Sequence, residues 1–255
     1  EGRFRAVPLR ADLHGGRVDG SLDLFATQGH PHWELDLAWS KVDLAPLQRA
    51  LLPRVHLRGR SQGSVTLEAD GWRPRETPRS WSGDGRLQVV DGAVLGLDLA
   101  HRLTATLARL QGQAPPEAPA EASTAFESLD GRFYIDRGRL HVTELRGESE
   151  WLSADGRGKA DLVDRRLSGQ GELTGTAPPP GAEGTILRRL QGISVPLRVQ
   201  GTLDEPRVGL NLAPVLRSER GAEAARELRR RKERLRQETE EQLKDLEKRL
   251  QDLLE

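Results

Sequence analysis

The chain has 255 residues, with 39 basic and 39 acidic side chains, so its formal net charge is zero. A balanced charge gives no overall field to attract nucleic acid. The absence of cysteine excludes a disulfide framework and a thiolate metal site. Hydrophobic residues make up 36%, below the roughly 45–50% of a compact domain, which suits a sheet with one apolar side.

Membrane insertion through a helix is not predicted within this chain. No stretch approaches the roughly 18 apolar residues that a spanning helix needs, and no signal peptide opens the sequence. The chain contains no methionine, even at position 1. We therefore interpret it as a piece of a longer protein, which leaves open a membrane anchor upstream.

The N-terminal part is predicted to consist of strands followed by one short helix. Residues 7–13, 18–25 and 33–39 alternate apolar and polar side chains, which is typical of strands with one buried face. Residues 45–52 have helical spacing and stop at Pro53.

The middle of the chain continues this pattern. We predict short strands at 55–57 and 64–67, then a strand, an Asp-Gly turn and a second strand over 86–96. Residues 97–110 carry leucines at helical spacing and predict a helix. The Pro/Ala-rich segment at about 113–123 is of low complexity, and we expect a flexible loop there.

Closely spaced strands are predicted again from residue 131 to about 175, separated by Gly or Asp-Arg turns. A short helix at 186–190 precedes a final pair of strands over 195–212. These elements make a β domain of residues 1–216.

Residues 217–255 predict a long charged helix with a narrow leucine seam. Its basic stretch at 226–236 is interpreted as a solvated face with i,i+4 ion pairs. The alternative is a helix that binds lipid headgroups or docks a partner.

The apolar side chains of the β domain are the candidate functional residues. Strand side chains alternate with period two, so we expect these residues to share one surface. They are Trp33, Leu35, Leu37, Trp39, Leu87, Val89, Phe133, Ile135, Val195, Leu197, Val199, Val208 and Leu210. From the residues alone, this surface could be an open groove or the core of a sandwich of two sheets.

Three short motifs match sites for catalysis, metal binding or dinucleotide binding, but the predicted structure and residue spacing around each one do not fit such a site. Ser61 lies in a G-x-S-x-G match, but a nucleophile elbow joins a strand to a helix, and here strands are predicted on both sides. His30 and His32 have no third ligand at metal spacing. Gly169 and Gly171 lack the helix of a dinucleotide site and are interpreted as a turn. We predict no enzyme, cofactor or metal.

Several phrases resemble the AsmA family. Residues 124–140 (TAFESLDGRFYIDRGRL) resemble its T-x-F-x-x-L-x-G-x-F-x-I-x-x-G-x-L signature, and residues 193–206 (ISVPLRVQGTLDEP) its terminal I-P-V-x-I-x-G-T-L-x-x-P. Three weaker phrases precede them, at 13–20, 42–47 and 90–99. The resemblance covers roughly residues 9–216, in order, and matches the C-terminal region of the family.

The resemblance implies a fold, a location and a function. AsmA-like proteins are similar to TamB and to the chorein-type bridge proteins. The resemblance implies an elongated, strongly twisted antiparallel sheet that is curled into an apolar groove. The implied protein is periplasmic, held in the bacterial inner membrane by a segment outside this chain. It would conduct phospholipids between the inner and outer membranes, with acyl chains as its ligand, and so support outer-membrane biogenesis and lipid homeostasis. The alternative is a periplasmic scaffold that contacts an envelope protein partner.

Overall fold

The computed structural model describes residues 2–27, 30–51, 54–71, 78–110, 114–115, 117–177, 192, 194–211, 230 and 234. Its elements in chain order are β1 Gly2–Leu13, β2 Gly16–Thr27, β3 His30–Asp43, α1 Leu44–Leu51, β4 Leu57–Asp70, a 3-10 turn Pro78–Ser80, β5 Ser82–Leu95, α2 Leu99–Leu110, β6 Ser123–Asp136, β7 Arg139–Glu148, β8 Leu152–Asp161, β9 Arg166–Gly175, β10 Ser194–Thr202 and β11 Pro206–Leu210.

All eleven strands belong to one antiparallel sheet in which each strand pairs with the next along the chain. The sheet is not closed into a barrel, because β1 and β11 do not pair with each other. The predicted fold class, mainly β with an elongated antiparallel sheet, is confirmed. The sandwich alternative is wrong for the residues that the structure describes, since they contain no second sheet.

Three predicted turns are wrong because their glycines lie inside long strands. Leu57 and the segment 64–67 belong to the single strand β4, with residues 55 and 56 just before it, and Gly169 and Gly171 lie within β9. The predicted Asp91-Gly92 turn is a bulge within β5, where Asp91 takes a positive φ of 50°. Glycine marks close backbone approach as well as turns, and close approach accounts for these positions.

Both helices begin and end near the same end of the sheet, which we call the helix end. The Asp43 side chain accepts a hydrogen bond from the backbone N–H of Ala45 at the start of α1. Asp98 accepts one from the N–H of His101 at the start of α2. Side-chain acceptors of this kind satisfy the free donors of a first helical turn, which explains where these helices start.

Some predictions fall on residues outside those described. They are the helix at 186–190, Leu212 and most of the terminal helix at 217–255, of which Arg230 and Arg234 are described and helical. Residues 114–115 and 117–122 of the predicted loop have neither helix nor strand.

The end of the sheet opposite the helices is tied by a bidentate ion pair. Arg165 donates to both carboxylate oxygens of Asp204, at 2.7 and 3.0 Å. This hydrogen bonding holds the pKa of Asp204 below its ordinary value of 3.8. The ion pair therefore stabilises the fold fully above that value, and the contribution is lost as the pH falls below it.

We expect Asp204→Asn to lower the melting temperature at pH 7 and to lessen the fall in melting temperature between pH 7 and pH 3. Thermal unfolding at the two pH values measures this. Asp12→Asn is the control, because its ion pair with Arg17 is long, at 3.8 Å, and solvent-exposed. An acid sensitivity identical in Asp204→Asn and the parent would contradict the assignment.

Candidate functional site

One face of the sheet is apolar across all eleven strands. Residues directly opposite each other in a ladder project to the same face, so the register can be followed from strand to strand. The row through Leu37 contains Leu9, Gly20, Leu37, Val65, Gly85, Phe133, Val142, Gly158, Gly169, Val199 and Val208. Every member is apolar or glycine. We call the face that carries this row the apolar face.

The adjacent row projects to the opposite side and is polar throughout. It contains Ser21, Asp36, Thr66, Asp84, Tyr134, His141, Lys159, Ser168, Gln200 and Arg207. We call this side the polar face. A shift of one residue exchanges the two faces, so this register separates the two rows, although Phe25 and Val90 also project to the polar face.

The thirteen predicted lining residues all fall on the apolar face. Trp33, Leu35, Leu37 and Trp39 lie opposite Ala69, Leu67, Val65 and Gly63 of β4. Leu87 and Val89 lie opposite Gly131 and Leu129. Phe133 and Ile135 lie opposite Val142 and Leu140. Val195, Leu197 and Val199 lie opposite Leu173, Gly171 and Gly169, and Val208 and Leu210 opposite Val199 and Leu197. That they contact lipid stays a prediction.

Further members of this face were not among the predicted residues. They include Leu22, Leu24, Val65, Leu67, Leu140, Val142 and Leu167. The first four stand in alternating sequence and could have been found by the same period-two pattern. Around Gly156, Gly158, Gly169 and Gly171, glycine takes the apolar-face positions, so the sequence there has little apolar signal.

Alanine side chains of equal size show that the apolar face is the more enclosed one. Ala69 and Ala160 on this face are only 3% and 7% exposed, although both lie near the end of the sheet opposite the helices. Ala38, on the polar face of β3, is exposed. The apolar face is therefore sheltered at β4 and β8 but not at the edge strand β1, where Ala11 is exposed.

The strand glycines indicate a curl toward the apolar face. A Cβ atom added at Gly20 would lie 2.0 Å from the carbonyl oxygen of Asp36, and one at Gly171 would lie 2.3 Å from that of Asp155. Neighbouring backbones thus approach on this side more closely than side chains permit, which is the role of glycine where a sheet bends. The apolar face is accordingly the inner side of the curl.

Aromatic rings cover some of these glycines. The Trp39 indole lies over Gly63 and the Phe133 ring over Gly85, each within 2.6 Å of where a Cβ would stand. The rings can lie along the neighbouring strand because no side chain projects there. The result is an apolar surface in which large aromatic side chains fill the space above neighbouring glycines.

Helix α2 covers one part of the apolar face and turns it into a core. Leu99 and Leu103 pack with Trp151, Leu152, Leu173 and Val195, all buried. Twelve residues span about 18 Å, close to four strand spacings of about 4.8 Å. Arg102 of the helix reaches the carbonyl oxygen of Val208 on β11, at 2.9 Å. The lining candidate Val195 is therefore covered by protein.

Outside that cluster most of the apolar face is partly exposed and has no such cover among the residues described, although Val42, Ala69 and Val89 are buried. Leu35 and Leu37 of β3, and Phe133 and Ile135 of β6, are partly exposed. The apolar face thus has two parts, a closed cluster under α2 and an open floor across β2 to β7. We use the name open floor for this second part.

Two clefts of the described residues lie mainly on the polar face. They are open, have volumes of about 760 and 730 Å³ and are lined mainly by polar-face residues, such as Arg86, Arg132 and Glu144 in the first and Arg157 and Arg198 in the second. Charged walls disfavour hydrocarbon because they would be desolvated. These clefts are therefore less suited to an apolar ligand than the open floor is.

The hydroxyl of Ser61 makes two hydrogen bonds within the fold. It is 1% exposed, donates to the carbonyl oxygen of Val42 at 2.9 Å and accepts from the indole N–H of Trp39 at 3.2 Å. It lies within β4, where no helix follows it. The hydroxyl thus fixes Trp39 on the apolar face.

We expect Ser61→Ala to lower the free energy of unfolding by about 1–3 kcal/mol, because two buried polar groups lose their partner. Urea unfolding measures the change. Ser40→Ala, on the exposed polar face of β3, should change stability by no more than about 0.5 kcal/mol. Equal effects of the two substitutions would contradict this role for Ser61.

The described residues contain neither a membrane-spanning helix nor a metal-binding cluster. No helix among them is long and apolar enough to cross a membrane, and no three acidic or histidine side chains among them are grouped to hold a metal ion. His32, from the predicted histidine pair, instead lies 2.8 Å from a carboxylate oxygen of Asp70.

Comparison with known proteins gives one family. The model of the AsmA family matches residues 1–145, more than half of the chain. The protein AsmA of Escherichia coli (strain K12) is 22% identical over 234 residues. That alignment covers 89% of this chain but 37% of the E. coli protein, so the chain spans little more than a third of the relative's length. No solved structure matches significantly.

Proposed function

Because the chain belongs to the AsmA family, we propose that its open floor conducts phospholipid acyl chains between the inner and outer membranes of a bacterial envelope. The protein would then act in outer-membrane biogenesis and lipid homeostasis. It would lie in the periplasm, held to the inner membrane by a segment outside this chain. The proposal includes no chemical step, cofactor or metal.

The observation that carries the proposal is the unbroken apolar row across eleven strands. Ten strand spacings of about 4.8 Å give the row a length of about 48 Å, of which the open floor from β2 to β7 makes up about 24 Å. A surface of this length with no polar side chain gives an acyl chain no position at which it must stop. Such a surface is suited to passage rather than to selective capture.

Hydrocarbon chemistry explains why this surface needs no specific contacts. Each CH₂ group removed from water gains about 0.8 kcal/mol, and the chain carries no hydrogen-bonding group to be recognised. The headgroup can remain in water at the margin of the curl. The proposal is therefore supported by the continuity of the apolar face and not by any single residue.

Vesicle transfer tests conduction. Purified protein is mixed with donor vesicles that carry a fluorescent phospholipid and with unlabelled acceptor vesicles, and dequenching is followed over time. We expect transfer well above the spontaneous rate. Protein that binds phospholipid but does not accelerate transfer would contradict conduction while leaving lipid binding intact.

A scaffold function is the second candidate, and the free edge of β1 favours it. Phe4 and Val7 on this strand are 59% and 53% exposed, and an unpaired strand edge is a template for pairing with another chain. At the other edge, β11 has only five residues. A partner captured through β1 with no phospholipid on the open floor would favour the scaffold.

A further inference from the structure

Three cations on the polar face have no carboxylate partner. Arg157, Lys159 and Arg198 take part in no ion pair with the residues that the structure describes. Some arginines of this face are paired, as when Arg146 lies 2.9 Å from Glu144, while Arg86 and Arg207 also have no ion pair among the described residues. Arg157, Lys159 and Arg198 differ in that they lie on neighbouring positions of adjacent strands.

Strand register brings these cations together. Arg157 of β8, Gln170 of β9 and Arg198 of β10 are directly opposite one another, so the two guanidinium groups belong to positions about 10 Å apart. Lys159 stands two residues along β8 from Arg157, about 7 Å away. The positions of Arg157, Lys159 and Arg198 form a triangle, and the amide-bearing Gln170 lies between Arg157 and Arg198.

The next row adds neutral hydrogen-bonding groups and an aromatic wall. Lys159, Ser168 and Gln200 are directly opposite one another on β8, β9 and β10. On the other side of Lys159, the rings of Tyr134 and His141 stack at 4.6 Å between centroids and 1° between planes. These side chains and the three cations line an open cleft of about 600 Å³, which we call the cationic cleft.

The neighbouring rows contain carboxylates and so limit the shape of an anionic ligand. Asp155 and Glu172 are opposite each other on one side of the cleft, and Asp161 lies on the other side. A flat anionic membrane would meet these carboxylates as well as the cations. A narrow ligand that runs across β8 to β10 would meet only the cations.

We propose that the cationic cleft binds an acidic oligosaccharide, one with a carboxylate or phosphate on successive sugars. Its anionic groups would pair with Arg157, Lys159 and Arg198, and the amides and hydroxyl between them would bind sugar hydroxyl groups. A single small anion would use one corner of the triangle and leave the rest empty. This site lies on the face opposite the open floor, so it is independent of the proposed conduction.

Calorimetric titration of the full chain with tetragalacturonic acid tests the proposal, with maltotetraose as the neutral ligand of the same length. We expect binding of the acidic tetrasaccharide alone, weaker at higher salt, and weakened at least tenfold in the double variant R157Q/R198Q. Arg17→Gln is the matched control, because Arg17 lies on the polar face far from the cleft beside Asp12, and it should bind like the parent. Circular dichroism and melting temperature confirm that each variant is folded.

Each other outcome would overturn the proposal. Absence of binding, or equal binding of maltotetraose, would exclude an acidic saccharide site. Displacement of the tetrasaccharide by an equal concentration of inorganic phosphate would indicate a general anion site. Binding to phosphatidylglycerol vesicles that depends on Arg157 and Arg198, without tetrasaccharide binding, would assign the cleft to a membrane surface.

Discussion

Leu37→Glu is expected to leave the protein folded and to reduce its bound phospholipid at least about tenfold. Leu37 lies on the open floor, half-buried and with no helix above it among the described residues, so a carboxylate there can stay hydrated while the floor is empty. An acyl chain laid over it would desolvate the charge, and that costs several kcal/mol, whereas 1.4 kcal/mol already corresponds to a factor of ten. Phospholipid extracted from purified protein and counted by mass spectrometry measures the effect.

Ala38→Glu is the matched control for this substitution. It adds the same carboxylate one residue along β3, where the side chain projects to the exposed polar face. Bound phospholipid should be unchanged in this variant. Equal loss in both variants, or unfolding of Leu37→Glu, would contradict an open floor at β3.

Leu173→Glu is expected to unfold the protein or to lower its free energy of unfolding by about 3–5 kcal/mol, the range for an unpaired buried charge. Leu173 is on the same apolar face as Leu37 but is 3% exposed, in the cluster that α2 covers. The same chemical change should thus have opposite consequences at two positions of one face. Thermal melting and urea unfolding measure the difference.

Gln170→Glu controls for a new carboxylate on the same strand, since Gln170 projects to the polar face of β9 and is exposed. We expect it to fold like the parent. A Leu173→Glu protein as stable as Gln170→Glu would show that α2 does not seal this part of the face.

The face of β3 could be predicted from the sequence because alternation there is strong. Trp33, Leu35, Leu37 and Trp39 stand between Glu34, Asp36 and Ala38, and period-two patterning needs no knowledge of neighbouring strands. The structure places the four large residues together as the pattern indicates.

The length of the strands could not be predicted, because glycine gives the same local signal in a turn and in a tightly bent strand. Gly169 and Gly171 lie opposite Gly158 and Gly156, where adjacent backbones approach closely. This close approach can be recognised only when the pairing of β8 with β9 is known. The sequence pattern alone therefore predicts short pieces where the strands are continuous.

The residues against which α2 packs could not be predicted from the sequence of the helix either. The leucine spacing of residues 97–110 predicts a helix with one apolar side, and α2 is found at Leu99–Leu110. The partners Leu173 and Val195 lie on strands that follow much later in the chain. Nothing in the helix itself identifies them, so the division of the apolar face into open floor and covered cluster came from the structure.

Photocrosslinking along β3 tests directly whether phospholipid lies on the open floor. A benzophenone amino acid is placed singly at positions 35, 36, 37 and 38, and each protein is irradiated with a radiolabelled phospholipid. We expect crosslinks at positions 35 and 37, whose side chains belong to the apolar face, and none above background at 36 and 38. Crosslinks of equal yield at all four positions, or at none, would contradict lipid conduction on this face.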